Sequence, residues 1–239
     1  MSFTDGTLFG GRLHYRQTTC GHRSGIEPVL LAATIPARPG DNVIEAGTGA
    51  GAGLLCLNAR VAGLKGIGIE RDPDLASLAA DNFRANAAHG LMAIAADVNH
   101  LPLTCRFDHG FANPPWRSVL DTASPDLARQ RAHRASSGLL SAWTTALAAM
   151  LRPRGSLTFI LPASSLDECL FAMKHADCGA YHIMPLWPRV GRPAKLVIIQ
   201  SRKDARGSVN LRSGLILHGS NGYTPETELI LRDGAGLAI

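Results

Sequence analysis

The 239-residue chain carries a formal net charge of +5, with 46% hydrophobic and 18% charged residues, a composition typical of one globular domain. It shows no signal-peptide pattern, no apolar run of transmembrane length, and neither Cys-x-x-Cys nor His-Glu-x-x-His spacing. These features argue against secreted, membrane, redox and zinc-dependent proteins, and we expect a single cytoplasmic domain over residues 1–239 without a metal site.

The N-terminal sequence predicts a helix ahead of the first strand. Ser24-x-x-Glu27 is a capping-box pattern, and the apolar run 29–33 follows it. We therefore interpret residues 1–36 as a helical extension on the substrate side of the domain.

A strand, a glycine-rich turn and a helix come next. Residues 41–45 predict a short buried strand, residues 46–53 a turn, and residues 54–62 a helix with apolar residues at helical spacing. Glycines in such a turn let the backbone approach a ligand, and the helix N-terminus directs amides toward it. The cofactor-binding candidates of this segment are Glu45, Gly47, Thr48, Gly49 and Gly51.

Glycine spacing alone does not identify the cofactor, because Gly47-x-Gly49-x-x-Ala52 also fits the dinucleotide fingerprint of NAD-binding proteins. Two acidic residues favour S-adenosylmethionine instead. Glu45 precedes the first glycine, where it can meet the charged amino group of that ligand. Asp97 ends a later apolar run, where it can accept a hydrogen bond from the adenine amino group.

Polar residues also end the neighbouring predicted strands. Glu70 lies 23 positions after Gly47, about where an acidic residue accepts hydrogen bonds from a ribose diol. Asn113 follows the strand-like run 107–112. Together with Arg71 and Val98, which adjoin two of the acidic strand ends, these residues complete the predicted cofactor site.

The segment Asn113-Pro114-Pro115-Trp116 carries the predicted chemistry. Its prolines fix φ and remove backbone donors, so that the carbonyls of Asn113 and Pro114 can face a pocket without internal partners. The Asn113 side chain adds an acceptor, and Trp116 offers a flat face for stacking. An NH₂ group held by such acceptors keeps its lone pair free for a methyl donor, so these four residues are the catalytic candidates.

Arginine dominates the basic residues, since only four of the 24 Lys and Arg residues are lysines. Arginine pairs with phosphates and stacks on bases, so clusters of arginine indicate a track for a nucleic acid. Such clusters lie near the start of the chain, after the Asn-Pro-Pro-Trp segment and before residue 195. The RNA-binding candidates within them are Arg23, Arg117, Arg129, Arg131, Arg134, Arg189 and Arg192.

The rest of the chain alternates between predicted strands and helices. A long apolar helix is predicted over residues 137–151, a strand over 156–161, and two more strands over 181–187 and 194–200. This alternation predicts an α/β fold with a mostly parallel, doubly wound sheet and helices on both faces. Residues 203–239 are expected to form an extension at the sheet edge.

These motifs, in this order, resemble class I S-adenosylmethionine-dependent methyltransferases that carry an Asn-Pro-Pro-aromatic signature. The segments 21–31 and 217–224 resemble the small bacterial tRNA adenine-N6 methyltransferases within that class. The resemblance implies a Rossmann-like, seven-stranded sheet whose last strand is antiparallel. It also implies that S-adenosylmethionine methylates the adenine immediately 3′ of the anticodon in a valine tRNA. Trp116 stands where that family commonly has Tyr, and Glu45 where it often has Asp.

On the residues alone, other acceptors remain open. A ribosomal RNA or DNA base, or a glutamine amide of a release factor, presents an NH₂ group that fits the same segment. An NAD-dependent oxidoreductase or a non-catalytic nucleotide-binding module is a more distant alternative. The arginine excess favours RNA over a protein loop, and the Asn-Pro-Pro-Trp segment argues against a dehydrogenase.

Overall fold

The computed structural model describes residues 2–19, 25–101, 106–115 and 125–239, and for residues 125–137 it describes the helical backbone alone. The chain begins with an antiparallel hairpin of strands β1 (Phe3–Leu8) and β2 (Leu13–Thr18), and helix α1 (Glu27–Thr34) follows. The N-terminal extension was expected to be helical, but it begins with two strands. Its second strand buries alternate residues, Leu13 and Tyr15, which is the period of a strand that packs one face against a core.

Parallel strands and helices then alternate through the middle of the chain. They are β3 (Asn42–Ala46), α2 (Ala52–Arg60), β4 (Lys65–Glu70), α3 (Pro73–Ala85), β5 (Leu91–Ala95), β6 (Phe107–Ala112), α4 (Pro125–Met150) and β7 (Leu151–Pro162). Every residue of β6 is buried, as expected for a central strand that helices cover on both faces. Helix α4 begins well before residue 137, at a proline that suits the first turn of a helix.

The last part of the chain completes the sheet and then leaves it. Its elements are α5 (Leu166–His175), β8 (Cys178–Trp187), β9 (Leu196–Lys203), β10 (Asn210–Leu211), β11 (Leu215–Ile216), β12 (His218–Gly219), β13 (Gly222–Tyr223) and α6 (Pro225–Asp233). Strands β12 and β13 form a separate small hairpin. Beyond α6, the amide of Leu237 donates to the carbonyl of Ala33 at 2.8 Å, which ties the end of the chain to α1.

The central sheet has the strand order β10-β8-β9-β7-β6-β3-β4-β5, and β11 also pairs with β8. Strand β9 is antiparallel to both of its neighbours, whereas β3 to β7 are mutually parallel. The predicted α/β fold is confirmed, with a mostly parallel sheet in which β9 is the antiparallel strand. Within the described residues the sheet has nine strands rather than seven, because β10 and β11 add two residues each at one edge.

Helices cover both faces of the sheet, and each face has its own hydrophobic core. Helices α1, α2 and α3 pack on one face around residues such as Leu30 and Leu54. Helices α4 and α5 pack on the other face around Leu147 and Met173. This arrangement leaves the carboxyl ends of the parallel strands free to carry a ligand site.

Candidate active site

The candidate site is a cavity of about 330 Å³ at the carboxyl ends of β3, β4, β5 and β6. Ligands of doubly wound α/β proteins bind at this edge of the sheet. The predicted cofactor-binding residues that line the cavity are Glu45, Gly47, Thr48, Gly49, Glu70, Arg71, Asp97, Val98 and Asn113. Gly51, the remaining candidate, lies at the N-terminus of α2 and does not line the cavity.

The glycine turn between β3 and α2 follows a path that requires glycine. Gly47 has a φ of +65° and Gly51 a φ of +88°, in the left-handed region that L side chains rarely adopt. The amide of Thr48 donates to the carbonyl of Ile69 at 3.0 Å, and this bond holds the turn against the end of β4. The turn is thereby placed beside the cavity.

Glu45 lies at the base of this turn and is 4% exposed. Its Oε2 accepts hydrogen bonds from the Thr48 hydroxyl at 2.5 Å and from the Leu54 amide at 3.2 Å. Gly53 lets α2 approach the carboxyl group, since a Cβ at that position would lie 2.2 Å from Oε1. Burial raises the pKa of Glu45 to about 8, although both hydrogen bonds favour the ionised form. Glu45 therefore braces the turn as well as lining the cavity.

Glu70 joins the same turn to the end of β4. Its Oε2 accepts from the Gly49 amide at 3.0 Å, and its Oε1 accepts from the Asp72 amide at 3.0 Å. Each carboxylate oxygen has a further lone pair, so that Glu70 can still accept hydrogen bonds from a ligand diol. The side chain is half-buried on the wall of the cavity.

Asp97 caps a short 3-10 turn after β5. Its Oδ1 accepts from the amide and the side-chain nitrogen of Asn99, each at 2.9 Å. The other oxygen, Oδ2, lies 3.7 Å from Nδ1 of His100. These bonds fix the carboxylate at the cavity wall, where it can accept a hydrogen bond from an amino group.

The Asn-Pro-Pro-Trp segment follows β6 directly. Asn113 is half-buried and Pro115 is exposed, and both line the cavity, whereas Pro114 is buried beside them. Trp116, the fourth catalytic candidate, lies outside the described residues. The structure thus brings the predicted acceptor side chain of Asn113 into the same cavity as the glycine turn.

The predicted RNA-binding arginines are only partly described. Arg23 and Arg117 lie outside the described residues, and Arg129, Arg131 and Arg134 fall in the part of α4 for which only the backbone is described. Arg189 and Arg192 are exposed in the turn between β8 and β9. Two other arginines of the N-terminal cluster are held within the protein. Arg12 donates to the carbonyl of Arg232 at 3.0 Å, and Arg16 pairs with Asp5 at 3.2 Å.

Other elements contribute cavity residues that the sequence analysis did not identify. Tyr15 and Gln17 extend from β2, and Leu139 and Trp143 from α4. Trp143 packs against the glycine turn, since a Cβ on Gly47 would lie 2.5 Å from its ring. The alternation in β2 was a usable signal for a strand, but an apolar helix around Trp143 is indistinguishable from an ordinary core helix by sequence.

The described part of the chain offers no metal centre: it contains no group of three or more His, Cys, Asp or Glu side chains placed to bind an ion. Within the same residues, no helix has the length and apolar character needed to span a membrane.

Comparisons with known proteins identify relatives along most of the chain, although no protein-family model matches it. A protein of Actinobacillus succinogenes named tRNA1(Val) (adenine(37)-N6)-methyltransferase is 30% identical over 204 residues, which are 82% of this chain and 83% of the relative. A protein of Pedobacter heparinus with the same name is 24% identical, over 91% of this chain and 92% of the relative.

Solved structures agree on the fold. A predicted O-methyltransferase from Agrobacterium tumefaciens superposes with a TM-score of 0.74 and 24% identity, covering 89% of this chain and 99% of the other. The 16S rRNA N2 G1207 methyltransferase of T. thermophilus superposes with a TM-score of 0.58 and 19% identity, covering 84% of this chain and 50% of the other.

Proposed function

The chain belongs to the tRNA1(Val) (adenine(37)-N6)-methyltransferase family, and we propose that it transfers a methyl group from S-adenosylmethionine to the exocyclic N6 amino group of an adenine in a tRNA anticodon loop. One observation carries this proposal: Asn113 opens into the same cavity as Glu45, Glu70 and the glycine turn. A methyl donor and an amino-group acceptor can therefore be bound side by side, which supplies the proximity that such a transfer needs.

The cavity fits S-adenosylmethionine on three counts. Its volume of about 330 Å³ lies within the range of small-molecule sites. Glu70 and Asp97 offer carboxylate oxygens for the ribose hydroxyls and the adenine amino group, and the Gly49 position faces space with no atom within 4 Å of an added Cβ. When bound, the cofactor supplies an electrophilic methyl group on a positively charged sulfur.

Glu45 would hold the cationic amino group at the methionine end of the cofactor. The carboxyl group is buried with a pKa of about 8, so it is largely protonated at neutral pH before a ligand is present. An adjacent positive charge favours the ionised form and offsets the effect of burial. Glu45 therefore both braces the turn and responds to the charge of the ligand.

Asn113 and Pro114 would hold the target amino group. The side-chain oxygen of Asn113 and the backbone carbonyl of Pro114 would accept its two hydrogens, leaving the nitrogen lone pair directed at the methyl group. Positive charge that develops on the nitrogen is stabilised by these fixed acceptors, and its proton can leave afterwards without a strong base. We assign Trp116 to stacking on the adenine ring and Pro115 to shaping the turn.

The arginine candidates would position the tRNA. Arg189 and Arg192 are exposed in the turn between β8 and β9, at the strand ends that carry the cavity. We assign the same role to the other arginine candidates, which are Arg23, Arg117, Arg129, Arg131 and Arg134. Contacts with phosphates position the RNA without reading its bases, so they would strengthen binding to many sequences alike. The relatives' names do not favour the alternatives of a DNA base, a protein amide or an NAD-dependent reaction.

The proposal is tested by incubating the protein with labelled S-adenosylmethionine and, in parallel, bulk tRNA, ribosomal RNA, DNA and a release factor. We expect label in tRNA, and mass spectrometry should locate N6-methyladenosine in one anticodon-loop fragment. Label in the release factor with unmodified tRNA would overturn the proposal.

A further inference from the structure

A second cavity, of about 580 Å³, lies beside the turn between β8 and β9. Trp187, Val190 and Arg192 line it from the turn, and Gly214 and Ile216 line it from the neighbouring segment. The cavity is open to solvent, and Val190 is 79% exposed. It is separate from the candidate active site, with which it shares no lining residue.

The second cavity and the candidate active site both lie at the carboxyl ends of the parallel strands. Strand β8 and strand β7 both run antiparallel to β9, and β7 is parallel to β6, so the carboxyl ends of β8 and β6 face the same way. Strands β9 and β7 separate β8 from β6. Three strand spacings correspond to about 14 Å, a distance that one RNA loop can span.

Trp187 presents a fixed aromatic ring in this cavity. Its indole nitrogen donates to the carbonyl of Ser213 at 3.0 Å. Gly214 brings the backbone against the ring edge, since a Cβ there would lie 2.5 Å from Nε1. A ring that is already immobilised loses little entropy on stacking, which makes it a favourable platform for an unpaired base.

The chain segment that forms this cavity carries an excess of positive charge. Arg189, Arg192 and Lys195 are exposed on or beside the turn, and the Arg189 guanidinium also donates a hydrogen bond to the carbonyl of Gly219. Between residues 178 and 225 the sequence contains a single acidic residue, Asp204, which pairs with Lys203 at 3.0 Å after the end of β9. The C-terminal end of β9 lies at the amino ends of the parallel strands, away from the turn, so Asp204 does not neutralise the charge of the turn.

We propose that this surface, formed by Trp187, Arg189 and Arg192 and named here the β8–β9 subsite, binds a second nucleotide of the same tRNA. An unpaired base outside the target adenine stacks on Trp187, and the phosphates that flank it contact the two arginines. This inference rests on the proposed function, because it assumes that tRNA is the substrate. It adds a base-stacking contact about 14 Å from the methylation site, which helps to hold the anticodon loop open over the first cavity.

The test measures binding of a fluorescein-labelled anticodon stem-loop RNA to the full-length protein by anisotropy, at several salt concentrations. Trp187→Leu should weaken binding by a factor of about 5 to 150, which corresponds to the ~1–3 kcal/mol that stacking of one base on an aromatic ring contributes. Trp187→Phe, which keeps an aromatic face, should restore most of the affinity. Arg192→Ala should weaken binding and lower the slope of log affinity against log salt by about one.

Arg206→Ala is the matched control, because Arg206 is an exposed arginine beyond the end of β9 at the opposite edge of the sheet. It should leave both RNA affinity and salt slope unchanged. Arg192 is an exposed turn residue, so Arg192→Ala tests the subsite even if Trp187→Leu fails to fold. Calorimetric titration with S-adenosylmethionine should give wild-type affinity for every folded variant.

Three outcomes would overturn the subsite. If wild-type protein methylates tRNA while Trp187→Leu and Arg192→Ala bind RNA as tightly as wild type, the subsite is refuted and the proposed function stands. If wild-type protein neither binds nor methylates tRNA, both fail together. If size-exclusion chromatography shows a dimer that Arg192→Ala dissociates, the surface is an interface between two copies of the chain.

Discussion

The side chain of Asn82 makes two hydrogen bonds of 2.9 Å with the backbone of Arg16: its Nδ2 donates to the carbonyl, and its Oδ1 accepts from the backbone N–H. Asn82 lies on α3 and is 1% exposed, and it also donates to the carbonyl of Ala50 in the glycine turn at 2.8 Å. One side chain therefore joins the N-terminal hairpin to the turn that borders the cofactor cavity. Asn86, one helical turn later, pairs with the backbone of His14 in the same way but does not contact the glycine turn.

We expect Asn82→Ala to weaken S-adenosylmethionine binding about tenfold, because a buried carbonyl of the glycine turn loses a donor, a change that costs about 1–3 kcal/mol. Asn86→Ala is the matched control, since Asn86 likewise makes two bonds to β2 and one to a helix carbonyl. Both variants should increase hydrogen exchange in β2, but only Asn82→Ala should change the affinity measured by calorimetry. Equal losses of affinity in the two variants would show that the hairpin, and not the glycine turn, transmits the effect.

How far the sequence predicts this site depends on how local each signal is. The strand, glycine turn and helix around Gly47 occupy consecutive residues, so their pattern could be read directly. The hairpin could not be placed, because the bonds that hold β2 come from Asn82 and Asn86, which lie 66 and 72 positions away from their partners. The position of Trp143 against Gly47 likewise depends on how α4 crosses the sheet, which no local pattern specifies.

Glu45→Gln should make the stability of the cofactor-free protein less sensitive to alkaline pH. Burial raises the pKa of Glu45 from 4.5 to about 8, so the folded state binds more protons than the unfolded state between these values. The wild-type protein therefore loses stability as pH rises through this window, and glutamine removes that loss while still accepting from Leu54. Thermal melts from pH 5 to pH 9 should show the variant gaining Tm relative to wild type as pH rises. A constant difference across the range would refute the assigned ionisation.

His109→Gln should reduce the loss of stability on mild acidification. His109 is 4% exposed and lies toward the amino ends of the parallel strands. Its Nδ1 lies 2.7 Å from the Ser156 hydroxyl, and its Nε2 lies 3.0 Å from the Asp41 carboxylate. Burial lowers the pKa of His109 below 6.5 despite the nearby carboxylate, so the folded state favours the neutral imidazole. The free energy of unfolding therefore decreases as pH falls below 6.5. Denaturant unfolding at pH 7 and pH 5 should show a smaller drop in the variant. Because Ser156 is fully buried, this Ser-His-Asp arrangement is structural, and methylation at pH 7.5 should stay near the wild-type rate.

Asn113→Ala and Glu70→Ala should separate turnover from cofactor binding. Loss of the Asn113 acceptor should lower kcat roughly 10²–10³-fold, as for removal of one fixed group that stabilises developing charge, with S-adenosylmethionine affinity nearly unchanged. Loss of the Glu70 carboxylate should weaken cofactor binding by about 1–3 kcal/mol. Single-turnover kinetics and calorimetry on both variants provide the comparison. An Asn113→Ala enzyme that methylates tRNA at the wild-type rate would reduce the Asn-Pro-Pro segment to a structural turn.

The contact between Gly47 and Trp143 predicts a difference between two glycines that share one backbone conformation. Gly47 and Gly49 have φ values of +65° and +56°, so alanine at either position adds about 1–2 kcal/mol of backbone strain. Only at Gly47 would the new Cβ meet a side chain, 2.5 Å from the Trp143 ring, whereas nothing lies within 4 Å at Gly49. Gly47→Ala should therefore lower the free energy of unfolding more than Gly49→Ala does.

The steric part of this loss can be isolated with a double variant. Gly47→Ala combined with Trp143→Ala should be more stable than the sum of the two single changes predicts, because removal of the indole ring removes the collision but leaves the backbone strain. Gly49→Ala should act mainly on the ligand, since its methyl group enters the open space beside the cavity and should weaken S-adenosylmethionine binding. If the effects of the two changes on the free energy of unfolding simply add, the tryptophan ring moves aside at little cost. In that case α4 does not hold the glycine turn in place.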